Sequence, residues 1–374
     1  MTSPANRVDE LRRRHALEPL DLEGASALAK ALARGGDELG ARQVLLATAK
    51  ARDAAGLPLS EALFQGLLVL PAGSGALRRL VTFELAEIFG DATNKRHAAF
   101  VGASMAVDAS GAAQVILVTD QGFAGHWAPF GVAQLVGLSA KYRSPLKLSP
   151  PGLDGSFALV QAGGVCLVRQ GKERLVQGIT SAAPVAPNTV LPGAGWLFGR
   201  LDGDLLYLRQ ERGVRSIPLG SGPVWATAAF DDGLVVCTDG AGLTVVPDLH
   251  RQDRLHRCTD ARLLSSRVRL TIDGQHAALL VFDNDSDERS LHRYTWASAR
   301  WTQVELSGQP RAWLLEPNQG RFATWFDERS GELVDLDADT RRTLDHGAEV
   351  VALLPEAEGR FVVVVFGERV ELWV

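Results

Sequence analysis

Three things are scarce in this sequence of 374 residues: cysteine, long apolar runs and an excess of basic charge. The cysteines, Cys166, Cys237 and Cys258, are odd in number and far apart. A disulfide framework needs close-set pairs, so these predict reduced thiols and a cytoplasmic setting. The longest apolar-rich run, Ala62 to Ala72, is broken by Gln65, Gly66 and Pro71. It falls short of the about 20 residues that span a bilayer. The first 24 residues carry Arg7, Asp9, Glu10, Arg12, Arg13, Arg14, Glu18, Asp21 and Glu23 with no apolar segment, so no signal peptide is expected. With 39 basic against 44 acidic residues the net charge is −5. That balance points away from a general nucleic-acid binder and from an anionic membrane surface.

Chemical signatures are also lacking. There is no G-x-S-x-G elbow and no G-x-x-x-x-G-K-[ST] loop; Gly171-Lys172 is followed by Glu173. Asp283-Asn284-Asp285-Ser286-Asp287 opens like a calcium loop. It then places Glu288 where glycine is wanted and Tyr294 where the twelfth-position carboxylate should be. An acidic hairpin turn is the plainer reading. His250, His256 and Cys258 lack the paired spacing of a zinc site. No catalytic residue, metal or cofactor is therefore expected.

What is present is 46% apolar and 22% charged residues, the composition of a globular chain. Residues 1–75 read as a small helical unit. Ser3-Pro4 starts a helix over Pro4–Leu17 with Val8, Leu11 and His15 at helical spacing. Leu22–Arg34 carries Ala25, Leu28, Ala29 and Leu32 on one face, and Gly35-Gly36 stops it. Asp37–Ala54 follows with Ala41, Val44 and Leu45, and with Thr48 as the weakest member of that stripe. Ser60 caps a last helix, with Leu63 and Leu67 facing inward. Pro71-Ala72-Gly73-Ser74-Gly75 is the linker.

Residues 76–374 have a different texture. From His97 on, short runs of Val, Leu, Phe and Trp alternate with Gly, Asp, Pro and Ser. Seven paired runs line up: Gln114–Thr119 with Gly122–Trp127, Gly164–Arg169 with Glu173–Val176, and Asp204–Arg209 with Gly213–Ile217. Gly233–Thr238 with Gly242–Val246, His276–Phe282 with Ser290–Trp296, Arg321–Phe326 with Gly331–Leu336, and Arg360–Phe366 with Arg369–Trp373 complete the set. Most follow a further apolar run that would be an innermost strand, such as Ser156–Gln161, Gly195–Arg200 and Val350–Leu354. The pairs recur at roughly 30 to 50 residues, the spacing of four-stranded blades. A blade has two faces to cover, and a closed ring covers both. The expected fold is mainly β: a propeller of about seven blades with a small N-terminal helical unit. The last blade lacks an outer strand, and Arg79–Phe89 is the segment expected to supply it.

The final hairpin resembles the middle of a WD-repeat blade: Phe361–Phe366, a turn at Gly367-Glu368, then Arg369–Val370-Glu371-Leu372 ending in Trp373. It departs at Val374, where that family has Asp. The layout of helices followed by a propeller is similar to the propeller component of bacterial MoxR-ATPase and von Willebrand-A ternary systems, by arrangement and not by motif. Such resemblances imply a protein–protein interaction scaffold in a bacterial assembly, with a protein partner, no nucleic acid and no membrane. A hydrolase or lyase with a site in the central channel, or a small-ligand or glycan sensor, is the alternative.

Two features fit a docking role. The turns taken to join second and third strands carry Asp120, Asp239, Asp283, Asp285, Asp287, Asp327, Glu328 and Glu368 against Lys172, Arg212 and Arg329. They predict an acidic face for a basic partner. Trp127 and Trp301 stand beside polar or loop residues and are the expected exposed aromatic contacts.

Overall fold

A computed structural model gives the architecture. It describes residues 4–374 except 58, 73–74, 91–97, 108–112, 144–146, 150, 153, 162–163, 186–194, 210–212, 220–221, 230–234, 240–241, 247–255, 259–267, 273–275, 283–288, 296–297, 299, 305–311, 315–321, 327–328, 337 and 357–358.

Four helices come first: α1 (Pro4–Leu17), α2 (Leu22–Arg34), α3 (Glu38–Ala54) and α4 (Glu61–Leu68). Each of the last three opens on a side-chain cap, because the first turn leaves backbone N–H groups without partners. Asp21 accepts from Glu23 N, Asp37 from Gly40 N and Ser60 from Leu63 N. Thr48 is fully buried on the apolar stripe, and its hydroxyl donates to Val44 O at 3.0 Å.

The described strands form seven four-stranded antiparallel sheets. In chain order the first holds Phe100–Val107, Ala113–Thr119, Phe123–Trp127 and Gln134–Gly137, and the second Lys147–Leu148, Phe157–Gln161, Gly164–Arg169 and Lys172–Gln177. The third holds Ile179–Val185, Gly195–Arg200, Asp204–Arg209 and Gly213–Pro218, and the fourth Ala226–Ala229, Val235–Asp239, Gly242–Val246 and His256–Cys258. The fifth holds Val268–Ile272, His276–Phe282, Arg289–Thr295 and Arg300–Val304, and the sixth Ala312–Leu314, Phe322–Phe326, Ser330–Asp335 and Thr340–Asp345. The seventh joins Ala352–Pro355, Val362–Val365 and Arg369–Trp373 to Arg79–Glu84 from near the other end of the chain. The first strand of the seventh sheet packs against the sixth sheet and against the first strand of the first.

Two innermost strands differ from the expected ones. In the second and third sheets the first strands are Lys147–Leu148 and Ile179–Val185, so Ser156–Gln161 and Gly195–Arg200 stand one place further out. Ile-Thr-Ser-Ala-Ala-Pro-Val has few large apolar side chains to announce a strand, yet Ser181 and Ala182 to Val185 are all buried. Small side chains suit a strand packed against Phe157–Gln161 of the second sheet and Ala226–Ala229 of the fourth.

Arg79–Phe89 is neither all strand nor all helix. Arg79–Glu84 pairs antiparallel with Arg369–Trp373, Thr82 opposite Glu371 and Phe83 opposite Val370. Leu85–Phe89 then turns into a short helix, started where Glu84 N–H donates to the Glu87 carboxylate at 2.9 Å.

One apolar cluster runs through the helices and the first and seventh sheets. Leu28, Leu45, Phe64 and Leu67 share it with Phe100, Leu117, Phe361, Val363 and Leu372. Along it the Phe64 ring meets Phe361 at 5.3 Å and Phe130 at 5.4 Å, and Phe83 meets Phe130 at 5.3 Å and Trp127 at 5.2 Å. These offset and edge contacts are the favourable geometries for aromatic pairs. Arginines finish the junction. Arg42, 3% exposed, donates to Pro71 O and Arg360 O; Arg360 donates to Leu68 O and pairs with buried Glu356; Arg342 donates to Gly75 O and Gly359 O. Burial, then the nearby Arg42 charge, pull Arg342 down to about 10.

Candidate functional site

The sheets are antiparallel, so second-to-third turns lie at one end of each sheet and third-to-fourth turns at the other. The strand order therefore corrects one expected basic member of that face. Arg212 lies outside the described residues, and Lys172 begins the fourth strand of the second sheet and belongs to the opposite end from the second-to-third turns. The turn that does occupy this place in the third sheet is Leu201-Asp202-Gly203, leading into Asp204. Its carboxylates escape a reading of the sequence that misses Ile179–Val185.

The local geometry of this turn follows from its residues. Gly203 has φ +92°, and a Cβ there would stand 2.7 Å from Gly222 O. Only glycine fits. Asp202 accepts from Asp204 N at 3.2 Å, and the Arg200 guanidinium reaches both Asp202 and Asp204. Asp204 also accepts from Ser216 Oγ at 2.9 Å. Leu201 is 58% exposed at the tip.

Two turns of this end stand next to each other. Ala99 N donates to the Asp120 carboxylate at 3.0 Å, and Asp120 N donates back to Ala99 O at 2.9 Å. The next residue, Phe100, donates to Gly367 O at 2.7 Å. Asp120 is thus half-buried and holds the chain entering the first sheet, whereas Glu368 is exposed. Arg369 beside it is engaged: its guanidinium lies 4.0 Å over the Phe366 ring and donates to Glu371 at 2.8 Å. Asp239 ends a described strand, and Asp283, Asp285, Asp287, Asp327 and Glu328 lie outside the described residues.

The aromatic pair separates. Trp127 is 1% exposed and is no surface contact. Its ring packs on Phe83, and its indole N–H donates to Gly131 O at 3.0 Å. The reason is the turn Ala128-Pro129-Phe130-Gly131, closed by Gly131 N to Ala128 O at 2.9 Å. Phe130 takes φ +69° there, a conformation usually left to glycine, and swings its ring between Phe64 and Phe83. Trp301 is half-buried on the outer strand of the fifth sheet, against Tyr294 at 4.9 Å, with Arg300, Thr302 and Gln303 exposed around it.

Cys166 is buried beside Glu173, and burial, then the carboxylate's charge, push its thiol up to about 11. A protonated thiol is a poor nucleophile. His126 is held below the usual imidazole range by burial against Phe157. Among the described residues no three His, Cys, Asp or Glu side chains converge on one metal position, and no helix is long and apolar enough to cross a membrane.

The sheets have counterparts of the same fold among solved structures. The WD40 β-propeller domain of Doa1 superposes with a TM-score of 0.52 at 10% identity, covering 80% of this chain and 97% of that one. The fold is that of a β-propeller. BBS1N, in its complex with ARL6DN, gives a TM-score of 0.54 at 12% identity, covering 81% of this chain and 97% of the other. Hydrazine synthase of Kuenenia stuttgartiensis gives 0.52 at 12% identity, over 71% and 92%. At such identities the likeness is one of fold. No protein-family profile matches the chain, and no curated protein does.

Proposed function

We propose that the chain is a non-catalytic protein–protein interaction scaffold. The seven sheets are the blades of one closed propeller over residues 76–374, and the helical unit of residues 1–75 is a cap fixed to it. The observation that supports the docking assignment is the strand order: Lys172 stands between third and fourth strands, and the second-to-third turn of the third sheet carries Asp202 and leads into Asp204. Among the described residues, carboxylates then stand at that end of the first, third, fourth and seventh sheets. The face suits a basic protein surface, for which complementary charge sets approach and orientation more than raw affinity. Trp301 is a secondary contact on the side of the fifth sheet. The fold likeness to the Doa1 and BBS1N propellers supports the reading, since the second was crystallised with a protein partner. A place in a bacterial cytoplasmic MoxR-ATPase and von Willebrand-A system is its narrower form, and rests on layout alone.

The test is cross-linking mass spectrometry with the full chain as bait in its native host, beside the variant Asp202→Lys/Glu368→Lys. Cross-links from a basic partner to the second-to-third turns, with recovery at least five-fold lower for the variant, are expected. A partner bound at the third-to-fourth end, or equal recovery by both baits, overturns the acidic-face assignment. Recovery of no partner by either bait overturns the scaffold reading.

A further inference from the structure

The helices offer a second surface, of opposite charge. Between α1 and α2 lies an open groove of about 550 Å³. Its floor is Val8 and Leu11 from α1 with Ala27 and Ala31 from α2. Val8 and Leu11 are half-buried and rest on the apolar cluster below. The alanines leave space above α2 for another backbone to come close. Arg7, Lys30 and Arg34 stand around the floor, all exposed, and no acidic side chain lines the groove.

The charge pattern around this groove is uneven. Outside the groove on α1, Arg12 is paired with Asp9 and Asp37 and Arg14 with Glu18 and Asp21, while Arg13 makes no ion pair among the described residues. Among the described residues no carboxylate pairs with Arg7, Lys30 or Arg34. Three free cations around an apolar trough are the complement of a segment that carries aliphatic side chains on one face and carboxylates beside them. Helix-in-groove docking uses this combination. A lipid surface is the poorer fit, because interfacial binding needs apolar side chains that protrude, and here they are recessed.

We infer that the α1–α2 groove binds an acidic amphipathic segment of a protein partner, its aliphatic residues on Val8, Leu11, Ala27 and Ala31 and its carboxylates on Arg7, Lys30 and Arg34. The inference deepens the scaffold reading and rests on it, adding an acid-binding site on the helices to the base-binding face of the propeller.

Fluorescence anisotropy with the full chain tests it. The probe is a labelled 16-residue helical peptide of Leu, Ala and Glu, with Leu at i, i+4 spacing; the control peptide has Lys for every Glu. At least ten-fold tighter binding of the acidic peptide is expected, weakening as salt rises. Lys30→Glu/Arg34→Glu should weaken it at least ten-fold, and Ala27→Phe, at an exposed position, should block the groove. Unchanged melting curves show that both variants are folded. Equal binding of the two peptides, or none of the acidic one, overturns the inference. So does tighter binding to phosphatidylserine vesicles than to the peptide, or self-association that Lys30→Glu/Arg34→Glu abolishes. A chain that captures a basic partner at its turns but ignores the peptide loses only the groove. One that binds the peptide but captures nothing at its turns loses only the acidic face.

Discussion

Glu371 shows what one buried carboxylate does in this fold. It is 1% exposed, between Arg369 at 2.8 Å and the Trp373 indole N–H at 3.0 Å, with Arg79 at 3.8 Å. The Arg79 contact crosses from the seventh sheet's third strand to the strand that completes it. Removing a buried acceptor leaves its donors unsatisfied. Glu371→Leu should therefore cost about 2–3 kcal/mol in urea unfolding. Glu371→Gln, which keeps an acceptor, should cost less. A melting point unchanged in Glu371→Leu would show that the arginines turn to water instead. Cys166 is a second single-residue case. Its folded thiol is raised from 9.0 to about 11 by burial and by Glu173, so the folded state keeps a proton that the unfolded state gives up. That contribution to stability is fully present below pH 9 and is lost as pH rises through about 11. In native protein at pH 8, the peptide bearing Cys166 should resist iodoacetamide, and it should label quickly in urea. Rapid labelling without denaturant would contradict the burial.

At the scale of elements, the completing strand Arg79–Glu84 is held by side chains as much as by backbone. Phe83 touches both Trp127 and Phe130. Phe83→Ala should cost about 2–3 kcal/mol, less than for a fully buried ring because Phe83 is half-buried. It should also raise amide exchange selectively in Arg369–Trp373. Uniform exchange across all sheets would mean that this strand is not a separate weak point. The four helices were legible in the sequence because spacing, caps and glycine stops agree there. The hairpins were legible because Val, Leu and Phe alternate between Gly and Asp turns. Ile179–Val185 was not, since Thr, Ser, Ala and Pro bury well between strands but look like a loop. Missing it shifted the third sheet by one strand, and with it the turn taken to join that sheet's second and third strands. Trp127 was misread for a related reason. His126 and Pro129 beside it look like surface residues, and nothing in the sequence shows that Phe130 adopts a left-handed backbone that folds the loop back over the indole. The α1–α2 groove was invisible because it depends on which arginines find carboxylates in three dimensions.

For the molecule as a whole, the shared apolar cluster makes the helices part of the core. A chain lacking residues 1–75 would uncover Phe361 and Phe130, and would free Glu356 and Arg360 from their setting under Leu68. It should melt at least 10 °C lower than the full chain and bind the dye ANS. Equal melting points would show that the cap is an appendage. Partner searches should accordingly use point variants of the full chain. The pairing of Arg79–Glu84 with Arg369–Trp373 also sets a timetable. On the ribosome the strand emerges well before its mate, with the other six sheets between them in the chain. At about 5–20 residues per second the wait is on the order of tens of seconds. Through that interval the backbone of Arg79–Glu84 lacks its partner strand, and Phe64 lacks its contact with Phe361. A newborn chain therefore waits with that edge bare, and a ribosome that stalls before Arg369 would release a protein whose Arg79–Glu84 strand has no mate.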